Sequence, residues 1–298
     1  MKHDCISKPG LQMRRHEQTA VIYCNLKVNK GIIAVEKRQW LSQPVRIFIQ
    51  KHRSVMELFN ENSKLAIVIH KDHTLLPVIN RLGIKLGFGD LTIKELCIKE
   101  GIDTTFFMEI INVFHDENYF SEKKLRDFSV TIVIDYLQKT HRYYLDYVIP
   151  EQERLIDLFL LNCISGCKEN ELIHKFYNKF KEEFSSHLQF EETQVFPYIL
   201  ALNDTIQNPA KKSIFFERFP DFTIKGFDEE HGNMDEKMFD LKNIIIKYLP
   251  PNYDMNIGNS LLTNLFMFEK DMINHSRIED KILTPKVIQL EKLIKKDE

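Results

Sequence analysis

The chain has 298 residues, 43% of them hydrophobic, and a formal net charge of −2 at pH 7. This length supports one large domain or two modest ones, and the near-neutral charge gives no electrostatic reason to expect nucleic acid as a partner. No apolar run reaches the roughly 20 residues that span a bilayer, and the N-terminus lacks the pattern of a signal peptide, so we expect no membrane association and a cytoplasmic location.

Residues 1–60 show little helical periodicity. Val21–Val28 and Gln43–Ile49 have the composition of short strands, but two strands without a larger sheet are marginally stable. We therefore expect a poorly ordered N-terminal extension. Met56, just ahead of the first convincing helical pattern, is a candidate for the native start.

Residues 62–118 predict a small helical domain of three or four short helices. Thr92 and Glu95 form a capping box that opens one helix, and Gly101 marks the end of that helix. Asp103 then caps the next helix. A unit of this size has little core of its own, so we expect it to pack against the residues that follow.

Residues 126–290 show a sustained heptad-like pattern, which predicts four long helices in an antiparallel four-helix bundle. We expect Pro150 to kink or interrupt the first helix. The second helix is predicted to end near Pro197, the third at Pro250 and the fourth before Pro285. The predicted fold is therefore all-α, with the small helical domain ahead of the bundle.

Two stretches of the bundle repeat one pattern, because His187 is followed four residues later by Glu191, and His275 by Glu279. Residues four apart on a helix stack on one face about 6 Å apart along the axis, so each imidazole and carboxylate point the same way. Each pair is followed by a second acid, and each His by a Pro ten residues on. The stretch looks duplicated, with a spacing typical of metal ligands.

Two further histidines, His141 and His231, complete a regular series in which successive members are 46, 44 and 44 residues apart. One His per helix of a four-helix bundle gives this rhythm. All six candidate ligands occupy positions of the helical pattern that should be apolar. Six buried polar side chains without partners would each cost on the order of a few kcal/mol, enough together to exhaust the stability of a domain.

Two interpretations compete for these six side chains. Each His could be a core residue hydrogen-bonded to a nearby Glu, but six deviations in one register favour a metal centre. Four imidazoles and two carboxylates exceed a closed tetrahedral zinc site, and no Cys lies in these positions. They suit two iron ions with an oxo or hydroxo bridge, each ion taking two His and sharing both Glu, and with open positions for water or a diatomic ligand. Manganese stays an alternative.

Three ligand-bearing segments are distinctive: residues 182–197, the pair Glu230 and His231, and residues 272–280. They resemble the hemerythrin-like domain of the di-iron iron–sulfur cluster repair proteins. The resemblance extends into the small helical domain, where residues 78–103 are similar to that family's N-terminal domain. It covers residues 62–290 in all.

The resemblance implies two terminal iron ligands per ion and two bridging carboxylates: His141, His187, His231 and His275 as terminal ligands, with Glu191 and Glu279 as bridges. It also matches Glu183 and Glu230 to two further carboxylates that the family places near the metals. Glu183 lies one turn before His187, so it could carry protons or water to the site. A solvated acid on the helix face is the alternative for Glu183.

Two departures from the family's pattern matter. The family's N-terminal domain often carries a Cys-Cys-Gly-Gly turn, but residues 85–90 contain no Cys, so we do not expect thiol chemistry there. In oxygen-carrying hemerythrins the third helix supplies a second His where Asp235 stands here, which argues against a plain oxygen carrier. Cys163 and Cys167 are interpreted as reduced thiols rather than a redox pair.

The function implied by the resemblance is repair of iron–sulfur clusters damaged by nitric oxide or oxidative stress, through iron donation or nitric oxide handling. Damaged iron–sulfur proteins and nitric oxide or oxygen would be the partners, and a homodimer is compatible with this function. The alternative is a hemerythrin-like protein that binds or senses oxygen or nitric oxide without repair. A ferritin-type ferroxidase is disfavoured, because it uses Glu-x-x-His motifs with more carboxylates than imidazoles.

Overall fold

The computed structural model of the protein describes residues 57–161, 168–225, 231–248 and 253–296. Within these ranges, the side chains at 168–170, 231–233, 248 and 296 are outside the description. The expectations for residues 1–56, including the two short strands, lie outside the described residues. The same holds for Cys163, Cys167 and Glu230.

Five short helices form the first part of the described chain, which we call the N-terminal module (residues 57–128): α1 (Leu65–Lys71), α2 (Leu76–Arg81), α3 (Ile93–Glu100), α4 (Thr104–His115) and α5 (Glu122–Asp127). Thr92 and Glu95 form the predicted capping box of α3, and Gly101 ends that helix with φ at 69°. Asp103 accepts a hydrogen bond from the backbone N–H of Phe106 and caps α4. These three local predictions are confirmed.

Eight further α-helices are described after the module: α6 (Val130–Tyr143), α7 (Ile149–Leu161), α8 (Lys168–Phe190), α9 (Phe196–Gln207), α10 (Lys212–Arg218), α11 (His231–Tyr248), α12 (Met255–Ile278) and α13 (Thr284–Lys296). Helix α7 packs against α12, α12 against α11, α11 against α8, and α8 against α7, which closes a four-helix bundle. The predicted all-α fold is confirmed, and the described ranges contain no strand. The antiparallel order of the helices stays a prediction.

Three π-helical turns lie inside the long helices of the bundle. Tyr144–Val148 joins α6 to α7, Glu191–Val195 joins α8 to α9, and Glu279–Leu283 joins α12 to α13. A π turn widens the helix by one residue and is frequent at functional sites. Each of these three long helices therefore continues through its π turn instead of ending there.

The predicted helix ends near Pro197 and before Pro285 are wrong, because α9 runs on to Gln207 and α13 to Lys296. Both prolines are the second residue of an α-helix that restarts after a π turn. A proline lacks the N–H that an α-helix interior needs, but the first turn of a helix tolerates its absence. Pro150 has the same position in α7, where the π turn interrupts the α-helix at the predicted place.

Two apolar clusters build the core. The first combines the N-terminal module with α6, α9 and α13, and the second lies between α7, α8, α11 and α12. One cluster thus spans both ranges that the sequence separates, 62–118 and 126–290, and this division into domains stays a prediction. Along the chain, His141, Glu191 and His275 each lie between the last residue of one cluster and the first residue of the other.

None of the described helices combines the length and the apolar composition that a membrane crossing needs.

Candidate metal centre

Four of the six predicted ligands meet in one buried cluster: His141, Glu191, His275 and Glu279. Each contributes one ligand atom to a set whose members all lie within 4.8 Å of one another. The exposed fractions of these residues are 1%, 0%, 3% and 0%. The helical pattern therefore correctly placed these polar side chains in the interior.

The donor atoms within this cluster face one another closely. His141 Nε2 lies 3.2 Å from Glu191 Oε2 and 3.2 Å from His275 Nε2. His275 Nε2 lies 3.1 Å from Glu279 Oε1, one turn further along the chain. Imidazole nitrogens and carboxylate oxygens at such distances can share a cation without rearrangement of the backbone.

His187 joins the cluster through Glu191. Its Nε2 lies 3.3 Å from Glu191 Oε1, and the residue is 7% exposed. The two oxygens of Glu191 thus face two different imidazoles, Oε1 towards His187 and Oε2 towards His141. This is the arrangement that a bridging carboxylate requires.

The remaining predicted site residues have different positions. His231 is the first residue of α11, and its side chain is outside the description, as is all of Glu230. Glu183 is not part of the four-residue cluster among the described residues. Its carboxylate pairs with Lys237 of α11 and lies 3.9 Å from Lys179, and the hydrogen bond from Lys237 lowers its pKa.

Glu192 supports the cluster in a way that the sequence predictions missed. Its Oε1 lies 2.8 Å from His141 Nδ1, and its Oε2 accepts a hydrogen bond of 2.8 Å from Gln138. A carboxylate on one ring nitrogen fixes the tautomer of an imidazole, so Nε2 of His141 is left to face the cluster. Burial raises the pKa of Glu192, but the hydrogen bonds from His141 and Gln138 outweigh it, so this pKa lies below its usual value.

Aromatic rings surround the imidazoles. The ring of Phe196 stacks on His141 with centroids 5.3 Å apart and an interplanar angle of 17°. Tyr144 meets His275 edge to face at 5.7 Å, and Phe268 packs against Tyr144 at 5.2 Å. All of these rings are buried, so they restrict both the rotation of the imidazoles and the entry of water.

The π turns place ligands and rings together. Glu191 and Glu279 are each the first residue of a π turn. Tyr144 is the first residue of the remaining π turn, one helical turn after His141. The extra residue changes which face of the helix the following side chains share. Around the turn of Glu191, upstream Leu188 belongs to the second apolar cluster and downstream Phe196 to the first, and the order is reversed around the turn of Tyr144.

The donor set fits a metal cation. Burying two carboxylates beside three imidazoles is costly unless positive charge compensates them. With five donors already described, the set exceeds the four of a closed tetrahedral zinc site, and its nitrogen and oxygen chemistry suits iron. The residues present therefore fit a resident cation.

Comparison with known proteins agrees with this geometry. A family model described as the hemerythrin HHE cation-binding domain matches residues 134–287, just over half of the chain. No curated protein matches the chain. The matched range contains α7 to α12, most of α6, the start of α13 and all five described donors. The chain therefore belongs to the hemerythrin HHE cation-binding domain family.

Proposed function

We propose that the protein carries a two-iron centre and repairs iron–sulfur clusters that nitric oxide or oxidative stress has damaged. His141, His187 and His275 would hold the ions, together with Glu191 and Glu279, and His231 would add the fourth imidazole. Bound iron would supply a redox-active cation that can exchange and can take a diatomic ligand.

The position of Glu191 is the observation that carries the two-ion part of the proposal. A single ion needs only one oxygen of this carboxylate, whereas its two oxygens face imidazoles from two different helical segments, His141 and His187. His275 and Glu279 lie one turn apart on a third helical segment and face each other. Such a distribution provides ligands on two sides of a shared carboxylate, as two neighbouring ions require.

The protein's own residues prepare this pocket. Glu192 holds the proton on Nδ1 of His141, so the Nε2 lone pair faces the cluster. Phe196 and Tyr144 hold two of the imidazole planes and exclude water. Charges are attenuated less in such surroundings than in solvent, so a bound cation would interact strongly with both carboxylates.

Repair activity is supported by the resemblance of two parts of the chain to one family. Residues 182–197 and 272–280 resemble the di-iron domain of the cluster repair proteins, and residues 78–103 resemble the domain that precedes it. In the structure, these last residues belong to the module that shares an apolar cluster with the bundle. A module fixed to the centre in this way supports a joint role for the two parts.

A reconstitution assay tests the proposal. Full-length protein loaded with ferrous iron under anaerobic conditions is mixed with a 4Fe–4S dehydratase that nitric oxide has inactivated. We expect the wild-type protein to restore dehydratase activity and His275→Ala to fail, because one imidazole of the centre is lost. Glu182→Gln, which changes an exposed acid on α8, should restore activity like the wild type.

The iron content of the protein after the assay separates the two routes of repair. A loss of iron that parallels the recovery of the dehydratase indicates iron donation, whereas retained iron indicates nitric oxide handling. Failure of the iron-loaded wild-type protein to restore any activity would contradict the repair proposal. Reversible uptake of oxygen or nitric oxide without recovery would then favour a binding or sensing protein.

A further inference from the structure

Arg81, the last residue of α2, is buried between the N-terminal module and the bundle. Its side chain is only 3% exposed, which is unusual for an arginine. A buried guanidinium persists only where several groups compensate its charge. The structure shows these groups on two helical segments outside the module: α12, and α6 with the π turn that follows it.

The main partner of Arg81 is Asp271 of α12, which it contacts in a two-pronged ion pair. Nη1 donates to Oδ2 at 2.5 Å and Nη2 to Oδ1 at 2.8 Å, and the Asp271 side chain is 14% exposed. Parallel bonds of this kind fix both the distance and the orientation of the carboxylate. Asp271 lies one helical turn before His275, on the same face of α12. The ion pair therefore fixes α12 directly beside a candidate ligand.

A second route connects Arg81 to the same imidazole through aromatic rings. The guanidinium lies 6.0 Å from the centroid of Tyr144, and the ring of Tyr144 lies 5.7 Å from that of His275. Nη2 also donates a 3.3 Å hydrogen bond to the hydroxyl of Tyr136, on the helix that carries His141. Arg81 thus contacts both helices whose imidazoles meet at 3.2 Å in the cluster.

We propose that Arg81 is a positioning residue of the metal centre, through which the N-terminal module sets the orientation of His275 and Glu279. The inference rests on the proposed function only in taking the His and Glu cluster to bind iron. Arg81 itself does not touch the cluster. Its effect passes through Asp271 along α12 and through Tyr144 across the bundle.

A second ion pair in the bundle provides a matched control. Lys242 of α11 pairs with Glu269 of α12, and their side chains are 5% and 18% exposed, close to the 3% and 14% of Arg81 and Asp271. The acidic partners of the two pairs, Glu269 and Asp271, both lie on α12, two residues apart. Removal of either cation leaves a poorly solvated carboxylate, so both substitutions should reduce stability. Only Arg81 also contacts the ring that packs on His275.

The test compares Arg81→Met and Lys242→Met in the full-length protein. Iron affinity is measured by competition with a chelator, and the ligand environment by the Mössbauer spectrum. We expect Arg81→Met to weaken iron binding about ten-fold or more and to change the spectrum. Lys242→Met should leave the affinity and the spectrum unchanged. Equal effects of the two substitutions on iron affinity and spectrum would overturn the proposal.

Arg81→Lys keeps the test valid if Arg81→Met does not fold. Lysine retains the charge but lacks the planar fork, so the ion pair survives without its orientation. We expect a folded protein with a changed Mössbauer spectrum, and a wild-type spectrum in Arg81→Lys would count against a positioning role.

Hydrogen exchange of the metal-free protein separates this inference from the proposed function. Backbone amides of residues 272–279 should exchange faster in Arg81→Met than in Lys242→Met, whether or not iron is bound. Equal exchange in the two variants contradicts the role of Arg81. A wild-type protein that fails to bind iron contradicts the proposed function instead.

Discussion

Glu192 and His141 form the contact on which the geometry of the cluster depends most directly. The two residues come from different helical segments, and their 2.8 Å contact sets which ring nitrogen of His141 is available to a cation. The sequence contains the signal in the form of a second acid after each His–Glu pair. Its role could not be predicted, because the partner atom lies on α6, and no local spacing places Glu192 opposite His141.

Glu192→Gln tests this contact at the residue scale. The amide can still meet Nδ1 of His141, but it carries no charge to increase the basicity of the ring. We predict that iron affinity falls about ten-fold or more while the fold is retained. Chelator competition measures the affinity, with Glu182→Gln on α8 as the control. An unchanged affinity in Glu192→Gln would show that the charge of this acid is not needed.

Cys97 offers a second test at the residue scale. It is fully buried in the N-terminal module, and burial raises the pKa of its thiol to about 11. The thiol is therefore protonated at pH 8, and the thiolate that reacts with alkylating agents is scarce. We predict that iodoacetamide at pH 8 leaves Cys97 unmodified in the folded protein and modifies it in denaturant, as peptide mapping would show. Rapid alkylation of the folded protein would contradict the observed burial.

At the scale of the helices, the π turns connect the fold to the candidate metal centre. The sequence predicts helix ends at the two prolines ten residues after a ligand His, but each proline stands where an α-helix restarts after a π turn. Heptad-like patterns predicted the existence and the inward faces of the long helices. They could not predict a one-residue widening, since a π turn has no propensity signal of its own and depends on the packing around Glu191 and Glu279.

Deletion of Thr193 tests the π turn between α8 and α9. Removing one exposed residue should close the turn into an α-helix and rotate the following side chains away from their present neighbours. Phe196 would then lose its stacking on His141, and Val195 its place in the core. We predict a loss of about 2 kcal/mol or more in the free energy of unfolding, together with weaker iron binding.

Thr193→Ala is the control for this deletion, because it keeps the length of the helix and removes only an exposed side chain with its hydrogen bond to the backbone oxygen of Gln189. We predict that its urea unfolding curve and iron content match those of the wild type. A deletion variant as stable as Thr193→Ala would mean that the extra residue has no part in the packing of the core.

On the scale of the whole molecule, the candidate ligands form a polar layer between two apolar clusters. Regular His spacing and inward register predicted that these side chains meet in the interior, and the all-α fold followed from the heptad-like pattern. The sequence predicted that the N-terminal module packs against the residues that follow, but not that it shares a core with α6, α9 and α13 in particular. That arrangement depends on contacts between residues far apart in the chain, such as Arg81 with Asp271.

The metal content of the full-length protein, purified without added metal or chelator, tests the central claim most directly. The account predicts about two irons per chain in the wild-type protein. Glu191→Ala should retain far less, because it removes the carboxylate that faces both His141 and His187. One zinc ion per chain, or no tightly bound metal in the wild-type protein, would contradict the account.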